Sequence, residues 1–274
     1  MSGERFNGGD NDDSHSASTG DDFMFGGHGR DNLQALIGND TIYGGIGLID
    51  PTDGDDSIFG GGGKDYIIGG GGNDDLYGGS TTNDAFDDND SILGGSGDDL
   101  IYASAGNDSV YGGLDQDTIY GGLGDDIIFG GSSYGVPTDS DDSIFGGIGN
   151  DQVYGNGGAD RLFGNDGNDT LFGGVGDDRL NGGTGDDRLI GRDNIDRFEF
   201  DVNFGHDIIE DFVAGQDLLK FSDIIVSSDA EVLSHITYAN NNATITLGFN
   251  SITLLNVAVG SITDAMISIE HDLS

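Results

Sequence analysis

Between Ala17 and Glu199 an apolar residue returns at every ninth place, interrupted only where seven residues are inserted. The series runs Met24, Leu33, Ile42, Ile58, Ile67, Leu76, Ile92, Ile101, Val110, Ile119, Ile128, Ile144, Val153, Leu162, Leu171, Leu180, Leu189 and Phe198, with no polar exception. Successive side chains of an extended segment face opposite ways. A three-residue strand centred on each of these residues therefore turns one apolar group inward and its two neighbours outward. The pattern predicts short strands joined by tight turns, two units closing one flattened coil. At an inter-strand spacing of ~4.8 Å, the eighteen units make about nine coils, or roughly 43 Å of parallel β-solenoid.

Two further positions fix the register. With the apolar residue counted as eighth, the sixth place is Asp in all eighteen units, from Asp22 and Asp31 to Asp187 and Asp196. Glycine dominates places one, two and four, as in GGHGRDNLQ from Gly26, GGGGNDDLY from Gly69 and GGIGNDQVY from Gly146. Degenerate copies such as ALIGNDTIY from Ala35 and ASAGNDSVY from Ala103 keep the phase. The units that start at Gly44, Gly78 and Gly130 are sixteen residues long, each with seven extra residues before its closing Asp. A weaker copy, GGDNDDSHS from Gly8, carries His15 in the apolar slot. A disordered acidic linker would not hold two positions in phase. Glycine at places one, two and four is expected to allow backbone conformations closed to other residues, so that each turn reverses tightly with its carbonyls converging.

Composition sharpens this picture. The 274 residues hold 51 Asp plus Glu against nine Lys plus Arg, a formal charge of -42, with 53 Gly and no Cys. Such a polyanion repels nucleic acid and anionic membrane surfaces, and no apolar run approaches the ~18 residues of a membrane span. A disulfide framework is excluded. Residues 1–20 are polar and small, without the basic start and apolar stretch of a cleaved leader, so an export signal is expected elsewhere. One apolar side chain in nine residues does not offset the entropy of ordering them, and stacking sets Asp56 against Asp74 and Asp99 against Asp117. Calcium answers both problems. It takes about six to eight oxygen ligands, accepts carboxylates and backbone carbonyls together, and tolerates irregular geometry; magnesium fits less well.

The tandem G-G-x-G-x-D-x-U-x unit resembles the hemolysin-type calcium-binding repeat of the RTX family, over about two thirds of the chain. The resemblance implies a parallel β-roll in which each calcium ion lies between two stacked turns on one side. Its ligands are then the carboxylates of Asp22, Asp31, Asp40, Asp56, Asp65, Asp74, Asp90, Asp99, Asp108, Asp117, Asp126, Asp142, Asp151, Asp160, Asp169, Asp178, Asp187 and Asp196. The glycine-loop carbonyls that join them are those of Gly27, Gly29, Gly61, Gly63, Gly70, Gly72, Gly95, Gly97, Gly122, Gly124, Gly147, Gly149, Gly174, Gly176, Gly183 and Gly185. About sixteen inter-turn sites follow if every pair is filled. The perfect units are expected to bind best, ahead of sites beside Asp115, Asn194 and the three insertions. Since such sites do not exist in the unfolded chain, the roll is expected to fold on binding calcium.

Place nine is aromatic in twelve units. One ladder is expected along Phe59, Tyr77, Tyr102, Tyr120, Phe145 and Phe163, another along Tyr43, Tyr111, Phe129, Tyr154 and Phe172. Cross-strand packing is the first reading of these ladders, and a sticky face for a surface glycan or matrix partner is the second. Arg161, Arg179 and Arg197 recur eighteen residues apart and are read as neutralising nearby acids. An ice-binding array is set aside, because place three is Thr only at Thr19 and Thr184 among the regular units.

Nothing in the sequence argues for catalysis. GSSYG at Gly131–Gly135 fits G-x-S-x-G but sits in an insertion without the strand and helix of a nucleophile elbow. His15, His28, His206, His235 and His271 are scattered, and no H-E-x-x-H occurs.

From Gly191 onward only five of the 53 glycines remain. RFEFDV, HDIIEDFV, ATITLG and SITLLNV read as antiparallel strands with turns at AGQD and NNN. This segment is similar to the one that follows the repeats in serralysin-like and other type I secreted proteins. The resemblance implies a cap on the last coil and an export region recognised by a type I secretion system. The expected layout is a polar N-terminal segment over 1–16, the β-roll over 17–199, and a β-rich C-terminal cap with the secretion signal over 200–274. The expected protein is all-β, secreted and non-catalytic, binds several Ca2+, and acts structurally or adhesively at the cell surface or matrix. The competing reading is the detached calcium-binding and secretion module of an RTX protease, lipase or alginate epimerase.

Overall fold

The computed structural model describes residues 3–48, 50, 52–79, 88–131 and 140–270. Its nine-residue units coil into two parallel sheets that face each other, with strands passing alternately to one sheet and the other. Among the described residues one sheet has twelve strands and the other thirteen. Residues eighteen apart in sequence lie side by side, as in Ile119 against Ile101 and Val110 against Ile92. Where a unit carries the extra residues the step lengthens to twenty-five, and the register resumes with Ile119 against Ile144.

Each unit thus puts one side chain between the sheets. Every eighth-place residue from Leu33 to Phe198 is wholly buried, and Met24 is nearly so. The strands are longer than the three residues that the apolar spacing predicts. Ser57–Gly62 and Thr118–Leu123 are typical, running on through places one to three of the following unit. Bare glycine backbones pair with one another there, as in Gly61 with Gly79 and Gly113 with Gly131. A run without side chains gives no apolar alternation from which to read a strand.

The coiling begins before Ala17. Ser14–Ser16 pairs with Asn32–Gln34, setting His15 above Leu33, and the His15 ring lies flat on Phe6 with centroids 4.2 Å apart. It also continues past Glu199. His206–Ile209 and Leu218–Ser222 join the two sheets in parallel, and Ile267–Glu270 adds in parallel to Leu219–Ser222. The expected antiparallel arrangement of the C-terminal segment therefore holds only for Ile236–Ala239, Asn242–Leu247 and Asn250–Leu254. The reason lies in the sequence. HDIIE and QDLLK keep the Asp, apolar and strand places of the repeat while dropping its glycines. The turns at AGQD and NNN are present. Asp217 N–H closes on Val213 O, and Asn240 and Asn241 take φ of 52° and 63°, as a tight hairpin turn requires.

Phe198, Phe200, Phe204, Phe212 and Phe221 fill the end of the coil. Val232 packs onto this end from the short helix Asp229–Ser234, whose first turn is capped by the Ser228 hydroxyl accepting from Glu231 N–H.

Candidate metal centre

The turns are built by the backbone. All sixteen glycines nominated at places two and four have φ between 102° and 150°, the region that side chains disfavour. Non-glycine residues at the same places adopt it too: Leu36, Ser104, Asn156, Asn165 and Arg192 at place two, Asp115 and Asn194 at place four, with φ from 73° to 92°. The turn is thus kept at Asp115 and Asn194. Place one differs from expectation, because its glycines are not left-handed. A Cβ there would stand 2.1 Å from Asp31 Oδ2 at Gly26 and 2.2 Å from Asp74 Oδ2 at Gly69. Small size, rather than freedom of φ, is what this place supplies, and Ala17, Ala35 and Ala103 occupy it in three units. Adjacent turns come equally close, and a Cβ on Gly95 would lie 1.9 Å from Gly70 O. In the long units, Gly54, Asp88 and Ser140 bring their carbonyls to place four.

The sixth-place carboxylates form two continuous rows, one along each edge of the roll. In each row the backbone N–H of one Asp donates to Oδ1 of the Asp in the next coil. One row runs from Asp13 through Asp31, Asp56, Asp74, Asp99, Asp117, Asp142, Asp160 and Asp178 to Asp196 and Asp217. The other runs from Asp22 through Asp40, Asp65, Asp90, Asp108, Asp126, Asp151 and Asp169 to Asp187 and Asp207. The distances are 2.7–3.1 Å throughout. All eighteen nominated Asp are brought into these rows and are almost wholly buried. Asp13, Asp207 and Asp217 extend the rows beyond the nominated set. For the last two the signal was the D-x-U-x core without its glycines.

Oδ1 is therefore occupied along both rows. Oδ2 of Asp22, Asp31, Asp40, Asp56, Asp74, Asp99, Asp117, Asp126, Asp151, Asp169, Asp178 and Asp187 is buried with no hydrogen-bond partner. A buried carboxylate oxygen left so is costly unless a cation meets it. Burial pushes the following carboxyls above the ordinary range, while the N–H from the neighbouring coil pulls them down. Asp40, Asp151 and Asp187 reach about 6 and Asp99 and Asp178 about 7. Asp56, Asp126, Asp169, Asp196 and Asp207 reach about 8, and Asp74 about 9. At Asp117, pushed up to about 10 by burial, the Asp99 carboxylate outweighs the N–H of Asp99. Hard oxygen donors, with a carboxylate Oδ2 and a turn carbonyl of the next coil beside the same place-one glycine, as Asp31 Oδ2 and Gly44 O are at Gly26, suit calcium.

The outer faces carry the expected ladders. Phe59, Tyr77, Tyr102, Tyr120, Phe145 and Phe163 stack with centroids 4.5–5.3 Å apart and planes within 7°. Tyr111, Phe129, Tyr154 and Phe172 stack at 4.6–4.8 Å. Tyr43 stands apart from them, packing on Phe23 and Tyr66, because Ile68 and Leu93 fill the intervening slots. The ring faces are spent on one another, which leaves edges outward. Arg161, Arg179 and Arg197 are aligned as expected, and Arg179 meets Glu199 at 3.1 Å. Of GSSYG only Gly131 is among the described residues, and His271 lies outside them.

A family profile, the RTX calcium-binding nonapeptide repeat, matches residues 16–47, 50–83, 84–119, 115–134, 138–171 and 163–198. Among solved structures, the extracellular lipase LipA of Serratia marcescens is 20% identical over 88% of this chain and 45% of the lipase, with a TM-score of 0.37. This chain thus spans less than half of the lipase's length. The AlgE6R3 subunit of the Azotobacter vinelandii mannuronan C5-epimerase is 25% identical over 50% of this chain and 82% of that subunit, with a TM-score of 0.21. No curated protein sequence matches.

Proposed function

Since the chain belongs to the family of RTX calcium-binding nonapeptide repeat proteins, we propose that it is a secreted structural protein whose roll is assembled by calcium outside the cell. The observation that carries this reading is the pair of uninterrupted aspartate rows, with Oδ2 buried and lacking a hydrogen-bond partner at Asp31, Asp56, Asp74, Asp99, Asp117 and Asp178 in one and at Asp22, Asp40, Asp126, Asp151, Asp169 and Asp187 in the other. The sixth-place carboxylates and the carbonyls of places two and four would hold the ions. Bound calcium supplies positive charge that bridges successive turns and cancels the repulsion along each row. The chain's own residues do the rest. Backbone N–H groups fix each carboxylate by Oδ1, and glycine lets the turns approach. The eighth-place residues exclude water from between the sheets.

Sites of this kind, built largely from carbonyls and single carboxylates, suit the millimolar calcium of extracellular fluid rather than the scarce calcium of a cytosol. A role in cohesion or adhesion at the surface or matrix accords with the net charge, the length of the roll and ring ladders that stiffen its faces. The repeats serve as scaffold rather than catalyst. Fractionation of the producing cells tests the proposal. The protein is expected at the surface or in the matrix with calcium present and in the soluble wash after chelation. Retention inside the cell would overturn it.

A further inference from the structure

Place five, a variable position in the repeat, carries a second row of hydrogen bonds running against the first. Its side chain accepts the backbone N–H of the place-five residue one coil further on. Asp125 N–H donates to Asn107 Oδ1 at 3.1 Å, Asn150 N–H to Asp125 Oδ1 at 2.7 Å and Gln116 N–H to Asp98 Oδ1 at 3.0 Å. The row reaches both ends of the roll, from Asn39 N–H on Asp21 to His206 N–H on Asp186. Between two neighbouring coils the rows form a reciprocal clasp. Asn107 holds Asp125 from one coil, while Asp126 holds Asp108 from the other at 2.8 Å. Each clasp closes on the peptide next to a sixth-place carboxylate.

Ala159 and Ile195 offer no acceptor; the other exceptions follow the insertions. Twenty-five residues before Asp55, Asn89 and Asp141, the place-five residues that close the three long units, stand Arg30, Lys64 and Gln116. Arg30 Nε reaches forward to Asp55 O at 3.0 Å and Gln116 Nε2 to Asp141 O at 2.8 Å. At Arg30 and Gln116 a long donor to the carbonyl replaces a short acceptor of the N–H where the next coil carries extra chain.

We infer that the place-five side chains are positioning residues for calcium: the clasp fixes the peptide beside each ligand Asp and so turns its Oδ2 toward the ion. Partners that orient metal ligands are worth about ten- to a hundredfold in affinity when removed. The inference rests on the reading of the sixth-place rows as the calcium seat.

The test is a matched pair of variants with equal charge, Asp98→Asn with Asp125→Asn, and Asp98→Ala with Asp125→Ala. Only the first keeps the acceptor oxygens. Calcium titration is followed by the far-ultraviolet strand signal, and terbium luminescence lifetimes in H2O and D2O give the water bound per ion. The Asn pair is expected within about twofold of the natural midpoint, and the Ala pair to need about tenfold more calcium with more water per ion. Equal midpoints in the two pairs, shifted or not, overturn the inference; terbium hydration unchanged in the Ala pair does so too. If the Ala pair never reaches the natural strand signal, Asn107→Ala, which alters no charge, is compared with Asn107→Asp. A natural chain that binds no calcium would instead refute the seat itself.

Discussion

The repeat coils and the C-terminal cap share two sheets but are held together differently. In the coils each unit buries its eighth-place apolar side chain and its sixth-place Asp, for example Ile119 with Asp117 and Leu171 with Asp169. In the cap, aromatic and aliphatic groups from several directions meet. Phe200 lies 5.1 Å from Phe204 and 5.5 Å from Phe221 between ring centroids. Val232, Ile245, Ile252 and Leu254 are wholly buried nearby. Only Asp207 and Asp217 represent the aspartate rows there. Equal strand pairing therefore hides unequal dependence on ions. The coils set carboxylates in rows that cations would bridge, whereas the cap has an apolar centre of the ordinary kind.

Chelation should separate the two regions most widely. Hydrogen exchange read by mass spectrometry is expected to show amides from Leu33 to Leu189 exchanging at least about a hundredfold faster in chelator, with those of Leu219, Ile245 and Ile252 changed far less. Uniform acceleration would show that the cap has no stability of its own. Paired substitutions sharpen the contrast. Phe221→Ala should cost about 3–5 kcal/mol at any calcium concentration. Asp117→Ala removes a carboxylate from a row and should raise the calcium midpoint about tenfold, ~1.4 kcal/mol, while leaving the cap's denaturant midpoint in place.

Acid should act in the opposite sense to chelation. The buried carboxyls have folded-state values from about 6 at Asp40 to about 10 at Asp117, above the ~3.9 of an unfolded Asp. The folded coils thus bind more protons than the unfolded chain. Their metal-free stability is fully present below about pH 4 and is lost as pH rises through 6 to 10. In chelator, circular dichroism should show strand signal recovering on acidification from pH 8 to 4; a flat profile would remove protonation as a substitute for calcium. The smallest effect is expected at Leu36, whose φ of 83° belongs to glycine. Leu36→Gly should stabilise the calcium-bound form by about 1 kcal/mol in a thermal melt.

The coils were legible because their physics is local and repeated. Eighteen apolar residues and eighteen Asp in phase specify strand, turn and stacking register at once. What escaped was carried by groups without a sequence signature. Strands through Gly60–Gly62 have no side chains to alternate. The orphaned Oδ2 follows from which carboxylate oxygen a neighbouring N–H happens to take. Place five looked variable because Asp and Asn serve equally as acceptors, and its Arg30 and Gln116 make sense only beside the longer coil they face. Asp207 and Asp217 were hidden by the loss of the surrounding glycines, although their apolar partners Ile209 and Leu219 kept the spacing.

The stacked rings on the flanks have an optical consequence. The chain contains no Trp, so Tyr77, Tyr102 and Tyr120 dominate one stretch of near-ultraviolet absorbance. Parallel phenols spaced by 5.3 and 4.7 Å couple electronically. Each time a coil closes or opens, the exciton signal of this trio should change, giving an internal gauge of winding that requires no label.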